Sequence, residues 1–304
     1  MKILNWILIL NFVMFSKVFG QTELKIATYN IRNDNSNDVK QGNGWEKRLP
    51  VITDLVAFND FDIWGAQEVL HNQLNDLLER LPQYAFVGVG RDDGSTAGEY
   101  APIFYKEKNF KVVEEGNFWL SEIIDEPNKG WDAALPRICT YAKFSDVETE
   151  NYLWVFNLHL DHVGIVAREK SCELVLSRIK EIAGDETVVL MGDFNVDQNN
   201  KIYSILNHSK VIHDSYEVAD IKYAWNGTFN AFDPNLMTES RIDHIFVTPD
   251  VNVLSYAVLT DTYRSKKGEG EDVKKGDFPE ELSFKAYEAR LPSDHFPVTI
   301  KVIF

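Results

Sequence analysis

The chain has 304 residues and a formal net charge of −16 at pH 7, with 26% of residues charged. That acidity argues against a broad basic face for duplex nucleic acid, because nonspecific affinity comes from many phosphate contacts, whereas it suits divalent cations. The length supports one large domain or two small ones with a substantial core.

Residues 1–20, "MKILNWILILNFVMFSKVFG", place Lys2 before an apolar stretch from Ile3 to Phe15 and end in Val18-Phe19-Gly20. This is the layout of a secretory signal peptide, and the apolar run is short for a membrane span. A secreted or periplasmic protein is expected, with its mature domain over residues 21–304 and no transmembrane segment in it. Without Lys2 and Lys17, 29 basic residues face 47 acidic ones, a net charge of −18. Cys139 and Cys172 are the two cysteines. Cys172 shares a helical face with Val175, Ile179 and Ile182, so buried free thiols are expected, with a disulfide as the alternative of an exported chain.

In chain order, "LKIATYNI" (24–31) reads as a strand with a polar exit, and 46–59 as a helix with Pro50 in its first turn or at a kink. "FDIWGAQEV" (61–69) reads as a strand ending in Gln67 and Glu68. "NQLNDLLERL" (72–81) is helical, with Leu74, Leu77, Leu78 and Leu81 on one side. "YAFVGVG" opens a series of strands continued at 101–106, 111–120, 138–145 and 152–160. A helix over 164–183 ends at Gly184, followed by a strand "TVVLMGDFN" (187–195) and a short helix near 199–207. The last strands are "RIDHIFV" (241–247), 251–260 and 296–303, and the charged stretch 264–290 reads as a surface loop. Helices scattered among many strands, some joined by hairpin-length loops, fit a two-sheet sandwich flanked by helices better than a doubly wound sheet.

These strands end in a recurring kind of residue. The first delivers Asn30, the second Glu68, and 152–160 delivers His159 with Asp161 and His162 beyond it. "MGDFN" carries Asp193 and Asn195, "RIDHIF" carries Asp243 and His244, and "PSDH" carries Asp294 and His295. Each alone has the plain reading of a side-chain turn or a satisfied imidazole. Asp243, between Ile242 and His244 in an apolar strand, needs a charged or donating partner.

The segments "TYNIR", "WGAQEV", "NLHLDH", "MGDFNVD", "RIDHIFV" and "PSDHFPV", in this order, resemble the endonuclease/exonuclease/phosphatase superfamily, which includes deoxyribonuclease I, deadenylases, neutral sphingomyelinases and inositol-polyphosphate phosphatases. The middle stretch resembles a group of exported bacterial members. The resemblance spans residues 24–303. It implies a deoxyribonuclease I-like fold of the α/β (α+β) class: a four-layer α/β/β/α sandwich with two mostly antiparallel sheets and the active site at one edge. It also implies a metal-dependent phosphoric ester hydrolase using Mg²⁺, with Mn²⁺ as a plausible substitute.

On that resemblance Glu68 is the metal ligand, Asn30 its neighbour, and Asp294 completes the metal environment. His295 acts as general base or stabilises phosphate, oriented by Asp243; Asp193 and Asn195 position or deprotonate the attacking water; His159 donates to phosphate. Whether an aspartate or His295 takes the water's proton is left open. Arg91, Arg137, Trp45 and Trp131 lie in polar, glycine- or proline-bearing segments where a substrate could be met, with packing beneath a loop as the alternative for each Trp. The leading substrate expectation is RNA or DNA. A sphingomyelinase-like lipid diesterase, a phosphatase of sugar, inositol or nucleotide phosphates, and a catalytically silent binding module are the alternatives. No stable protein partner is expected.

Overall fold

Strands whose two faces are both apolar need cover on both sides, and the packing supplies it twice over. The computed structural model describes residues 21–266, 277–282 and 284–304. The proposed signal peptide lies outside the described residues. In chain order the elements are β1 (Glu23–Asn30), α1 (Ser36–Lys40), α2 (Trp45–Asn59), β2 (Ile63–Gln67), α3 (His71–Arg80), β3 (Tyr84–Val87), β4 (Ile103–Lys106), β5 (Phe110–Trp119), β6 (Ile138–Asp146) and β7 (Tyr152–His159). Then follow α4 (Ile165–Ile182), β8 (Val188–Asp193), α5 (Lys201–Asn207), β9 (His213–Asp214), α6 (Ser215–Val218), β10 (Ile221–Tyr223), β11 (Asp243–Val247), β12 (Asn252–Val258), β13 (Tyr263–Lys266), β14 (Tyr287–Arg290) and β15 (Val298–Ile303).

One sheet has the order β10-β12-β15-β1-β2-β4-β3 and the other β5-β6-β7-β8-β11-β9. Both are mainly antiparallel, with β1–β2 and β10–β12 parallel in the first and β7–β8 parallel in the second. Side-chain alternation sorts their residues into layers. Leu24 and Ile26 of β1 join Val189 and Met191 of β8 and Ile245 of β11 in an apolar layer between the sheets. Their strand neighbours face outward: Ala27 and Tyr29 pack with Ile52, Val56 and Leu77 of α2 and α3. Leu190 and Phe246 pack with Val175 and Ile179 of α4. Three apolar interfaces separate four layers, helix, sheet, sheet, helix, as expected.

Pro50 falls in the second turn of α2, not the first, and the helix continues through it. The stretch 264–290 is not a plain loop: its ends pair as β13 and β14, with Tyr263 opposite Arg290. Residues 267–276 and 283 lie outside the described residues. Cys139 and Cys172 are buried free thiols against α4. Among the described residues no helix is long and apolar enough to cross a membrane.

A buried amide network brings the sheets into register beneath the site. Gln67 Nε2 donates to Asn157 Oδ1 at 2.7 Å and to Thr28 Oγ1 at 3.0 Å, while Asn157 Nδ2 donates to the Ala66 and Pro102 carbonyls, both at 2.8 Å. This buried amide network crosses from β7 to β1 and β2 with its donors satisfied, which fixes the pairing of the two sheets. Gly192 has φ 149°, and a Cβ there would lie 2.1 Å from the Leu158 carbonyl oxygen. The glycine of "MGDFN" is thus required by the close approach of β7 and β8 just before Asp193.

Candidate active site

The strand register delivers the polar strand ends to one edge. Asn30 pairs with Gln67 across β1 and β2, His159 with Asp193 across β7 and β8, and Asp243 with Asp193 across β11 and β8. Where these ends meet lies a cavity of about 340 Å³. Its walls include Glu68, His159, Asp193, Asn195, Asp294 and His295. Asn30 and Asp243 sit behind that wall, fully buried.

Asp193 is at the centre. Its Oδ2 lies 3.0 Å from Asn30 Nδ2, 3.4 Å from His159 Nε2 and 3.7 Å from His295 Nε2. Its Oδ1 accepts the Asn195 backbone N–H at 2.9 Å, and the Asn195 amide donates to the Leu160 carbonyl at 3.0 Å. The Asn30 amide also reaches Glu68 Oε1 at 3.2 Å, tying the two carboxylates together. His295 Nδ1 lies 2.9 Å from Asp243 Oδ2, giving that buried carboxylate the partner it needs. The His295 ring meets Phe229 edge-on, centroids 5.1 Å apart.

Burial and mutual repulsion shape the titration. Burial raises Asp193, with the Asp243 charge adding to it, to about 7 against the pull of His295 and Asn30. Burial alone would lower His295, but the Asp243 and Asp193 carboxylates outweigh it and hold the imidazole well above its usual range. His159 goes the other way, lowered by burial and by the nearby Arg137 and Arg91 charges. The two imidazoles are therefore biased in opposite senses, His295 toward its charged form and His159 toward its neutral one.

The backbone is strained at the same place. Arg32, Glu68 and Asn195, all lining the cavity, have φ of 60°, 61° and 51°. Non-glycine residues rarely occupy this region, and such strain clusters where a side chain must be aimed.

The donor set fits a divalent cation. Glu68 and Asp294 both line the cavity, and the cation near both is Arg32, 3.8 Å and 3.5 Å away. Burial raises Asp294, as does the Glu68 charge. Hard carboxylate oxygens crowded beside open space are what Mg²⁺ takes, with waters completing its octahedron. Donor atoms of Asp193, Asp243 and His295 also lie within 4.8 Å of one another. That trio suits a metal less well, because Asp243 is already engaged by the His295 ring.

Three of the residues weighed for substrate contact do not line the cavity. Trp45 is buried in the α2–α3 layer, its indole N–H bonded to Asp76 at 2.7 Å. Trp131 is not among the lining residues; it sits in a left-handed turn with its N–H 3.0 Å from Glu122 Oε2. Arg91 stands behind the wall, paired with Glu99 at 2.6 Å. Arg137 does line the cavity. Arg32, Asn33, Glu99 and Phe229 also line it without having been singled out. Of these, Arg32 lies within the "TYNIR" segment, and the others carry no sequence signal of their own.

The model of the Endonuclease/Exonuclease/phosphatase family matches residues 27–295. The chain belongs to this family and is a phosphoesterase of its superfamily. A family protein of Bacteroides thetaiotaomicron is 49% identical, with TM-score 0.87, over 94% of this chain and 99% of its own. A mannosyl-6-phosphatase of Bacteroides thetaiotaomicron is also 49% identical, with TM-score 0.86, over 92% of this chain and all of its own. A Bacteroides vulgatus family protein is 37% identical, with TM-score 0.78, over 92% and 98%.

Proposed function

We propose that the chain is a divalent-cation-dependent phosphomonoesterase acting on a sugar phosphate, exported by its first twenty residues and folded as one domain over 21–304. The observation that carries this reading is the Asp193 carboxylate, ringed by Asn30, His159 and His295 in the wall of a cavity of about 340 Å³. A cavity of that size takes a small phosphate ester. The likeness to a mannosyl-6-phosphatase along the full length of that protein supports a sugar as the alcohol. The chain's net negative charge weighs against a nucleic acid track.

Phosphate monoesters demand rate enhancements approaching ~10²¹, met mainly by positioning and by stabilising charge on the phosphoryl oxygens. Glu68 and Asp294 would hold the cation, with Asn30 at its side, and the bound ion supplies Lewis-acid neutralisation of a phosphate oxygen. The His295 ring, fixed by Asp243 and biased by it toward the charged form, donates from Nε2 to a phosphoryl oxygen. His159 Nε2 donates to another. Asp193, with its carboxyl poised near neutrality, accepts the proton of the attacking water, and Asn195 orients that water.

The purified protein with Mg²⁺ should release phosphate from mannose 6-phosphate much faster than it cleaves bis-p-nitrophenyl phosphate, RNA or DNA. Faster cleavage of a polynucleotide than of any sugar phosphate would replace this reading with a nuclease.

A further inference from the structure

One wall of the cavity carries acid and base side by side. Glu99 and Arg137 both line it. Glu99 is fixed from behind: Arg91 Nη1 donates to Oε2 at 2.6 Å, and the Asn33 amide donates to Oε1 at 3.1 Å. Arg137 is 4% exposed. Its Nε meets Asp161 Oδ2 at 3.3 Å and its Nη2 lies 3.0 Å from His162 Nδ1. Its Nη1 is buried with no hydrogen-bond partner among the described residues.

A phosphate or carboxylate placed on this wall would meet the Glu99 charge, and a cation would meet Arg137 and, behind Glu99, Arg91. The group favoured by both neighbours is neutral and can donate and accept at once, as a hydroxyl does. Each carboxylate oxygen retains a lone pair for a hydroxyl proton, and the guanidinium has donor capacity that its protein neighbours leave unmet. Phe229, 41% exposed and lining the same cavity, offers an aromatic face for the apolar C–H side of a pyranose.

We propose that Glu99 and Arg137 bind the ring hydroxyls of the sugar and so determine specificity for a polyhydroxyl phosphate ester over a simple aryl one. This deepens the sugar-phosphatase reading above and rests on it. A wall built to hydrogen-bond hydroxyls discriminates against analogues that lack them, because its buried polar groups are then left unpaired.

The test measures kcat and KM of the Mg²⁺-loaded protein on mannose 6-phosphate, on ring-deoxy analogues of mannose 6-phosphate, and on p-nitrophenyl phosphate. Wild type, Glu99→Gln and Arg137→Lys are compared. Wild type should lose at least about tenfold in kcat/KM when a bound hydroxyl is deleted. Each variant should lose at least about tenfold on mannose 6-phosphate, chiefly through KM, and its loss on p-nitrophenyl phosphate should be at least about fivefold smaller. On the matching deoxy analogue the variant's further loss should vanish. Equal losses on both esters, or none on either, would overturn the proposal. So would a wild-type enzyme that turns over every deoxy analogue as well as the parent, a result that needs no variant to fold. If wild type hydrolyses p-nitrophenyl phosphate but no hexose phosphate, the sugar-phosphatase reading falls too; activity on mannose 6-phosphate with unselective variants removes this proposal alone.

Discussion

His295 and Asp243 lie 52 residues apart in sequence, yet the ring Nδ1 sits 2.9 Å from the buried Oδ2. The bond joins the segment entering β15 to the first residue of β11, one strand in each sheet. With Nδ1 committed to Asp243, Nε2 is the nitrogen that faces Asp193 and the cavity.

Replacing His295 with Ala should therefore lower kcat by at least about 10²-fold, the lower range for a proton-transferring side chain. Asp243→Asn should cost a similar factor, because an amide neither fixes the ring's tautomer nor favours its charged form. Steady-state kinetics with circular dichroism on both variants checks this. Near-normal turnover by a folded His295→Ala protein would remove the ring from the mechanism.

The amide network between the sheets makes a stability prediction independent of chemistry. Asn157→Ala would leave one of the two Gln67 Nε2 hydrogens without its acceptor and withdraw a donor from the Ala66 and Pro102 carbonyls, while Gln67 keeps Thr28 and Pro102 keeps the Ala66 N–H. Loss of a buried partner costs ~1–3 kcal/mol for each group left unsatisfied. Urea melts should show destabilisation of at least about that size, and a change under ~0.5 kcal/mol would mean that water or a rearranged Gln67 meets those groups.

Acid sensitivity should trace to a cluster away from the cavity. Asp214 is buried, 2.8 Å from both Arg241 Nη1 and the Tyr203 hydroxyl. Burial would raise its pKa, but His244, 3.7 Å away, and Arg241 outweigh burial and hold it well below the usual carboxylate range. A folded-state pKa below the unfolded value of about 3.9 contributes stability that is complete above that pH and is lost as pH falls below it. Asp214→Asn, which leaves buried Arg241 with only the half-exposed Glu217 carboxylate, 3.8 Å away, as counter-charge, should cost up to about 3–5 kcal/mol at pH 7. The gap from wild type should narrow below about pH 4, as followed by denaturant melts across pH. A gap that stays constant from pH 7 to pH 3 would assign the loss to packing.

The strand ends were legible in the sequence because burial on both faces writes each central strand as a mostly apolar run, so acids, amides and imidazoles at its ends stand out. Asn30, Glu68, His159, Asp193 and Asp243 were found that way, and the pairing of β1 with β2 and of β8 with both β7 and β11 brings them together. Glu99 was not legible: it lies in the turn-like stretch "RDDGSTAGEY", and its place depends on Arg91 at the start of that stretch and on the distant Asn33. Phe229 and Asn33 likewise sit in irregular backbone, where no periodicity marks a facing side. Trp45 read as either a substrate contact or a packed residue because its flanks are polar, and it opens α2 and packs inward. The 264–290 stretch read as loop because charge hides the β13–β14 ladder, whose exposed strands carry no apolar alternation.

The central claim is that Glu68 and Asp294 hold a divalent cation beside the His295–Asp243 pair. The direct measurement is phosphate release from mannose 6-phosphate by protein stripped with EDTA and titrated with Mg²⁺, for wild type and Glu68→Ala. Stripped wild type should be inactive, regain turnover saturably with Mg²⁺ and gain thermal stability over the same range, as a ligand bound only by the native state requires. Glu68→Ala should lose at least about 10²-fold in turnover and show a weaker stability response. Full activity after exhaustive chelation, or an unchanged Mg²⁺ response in Glu68→Ala, would contradict the account.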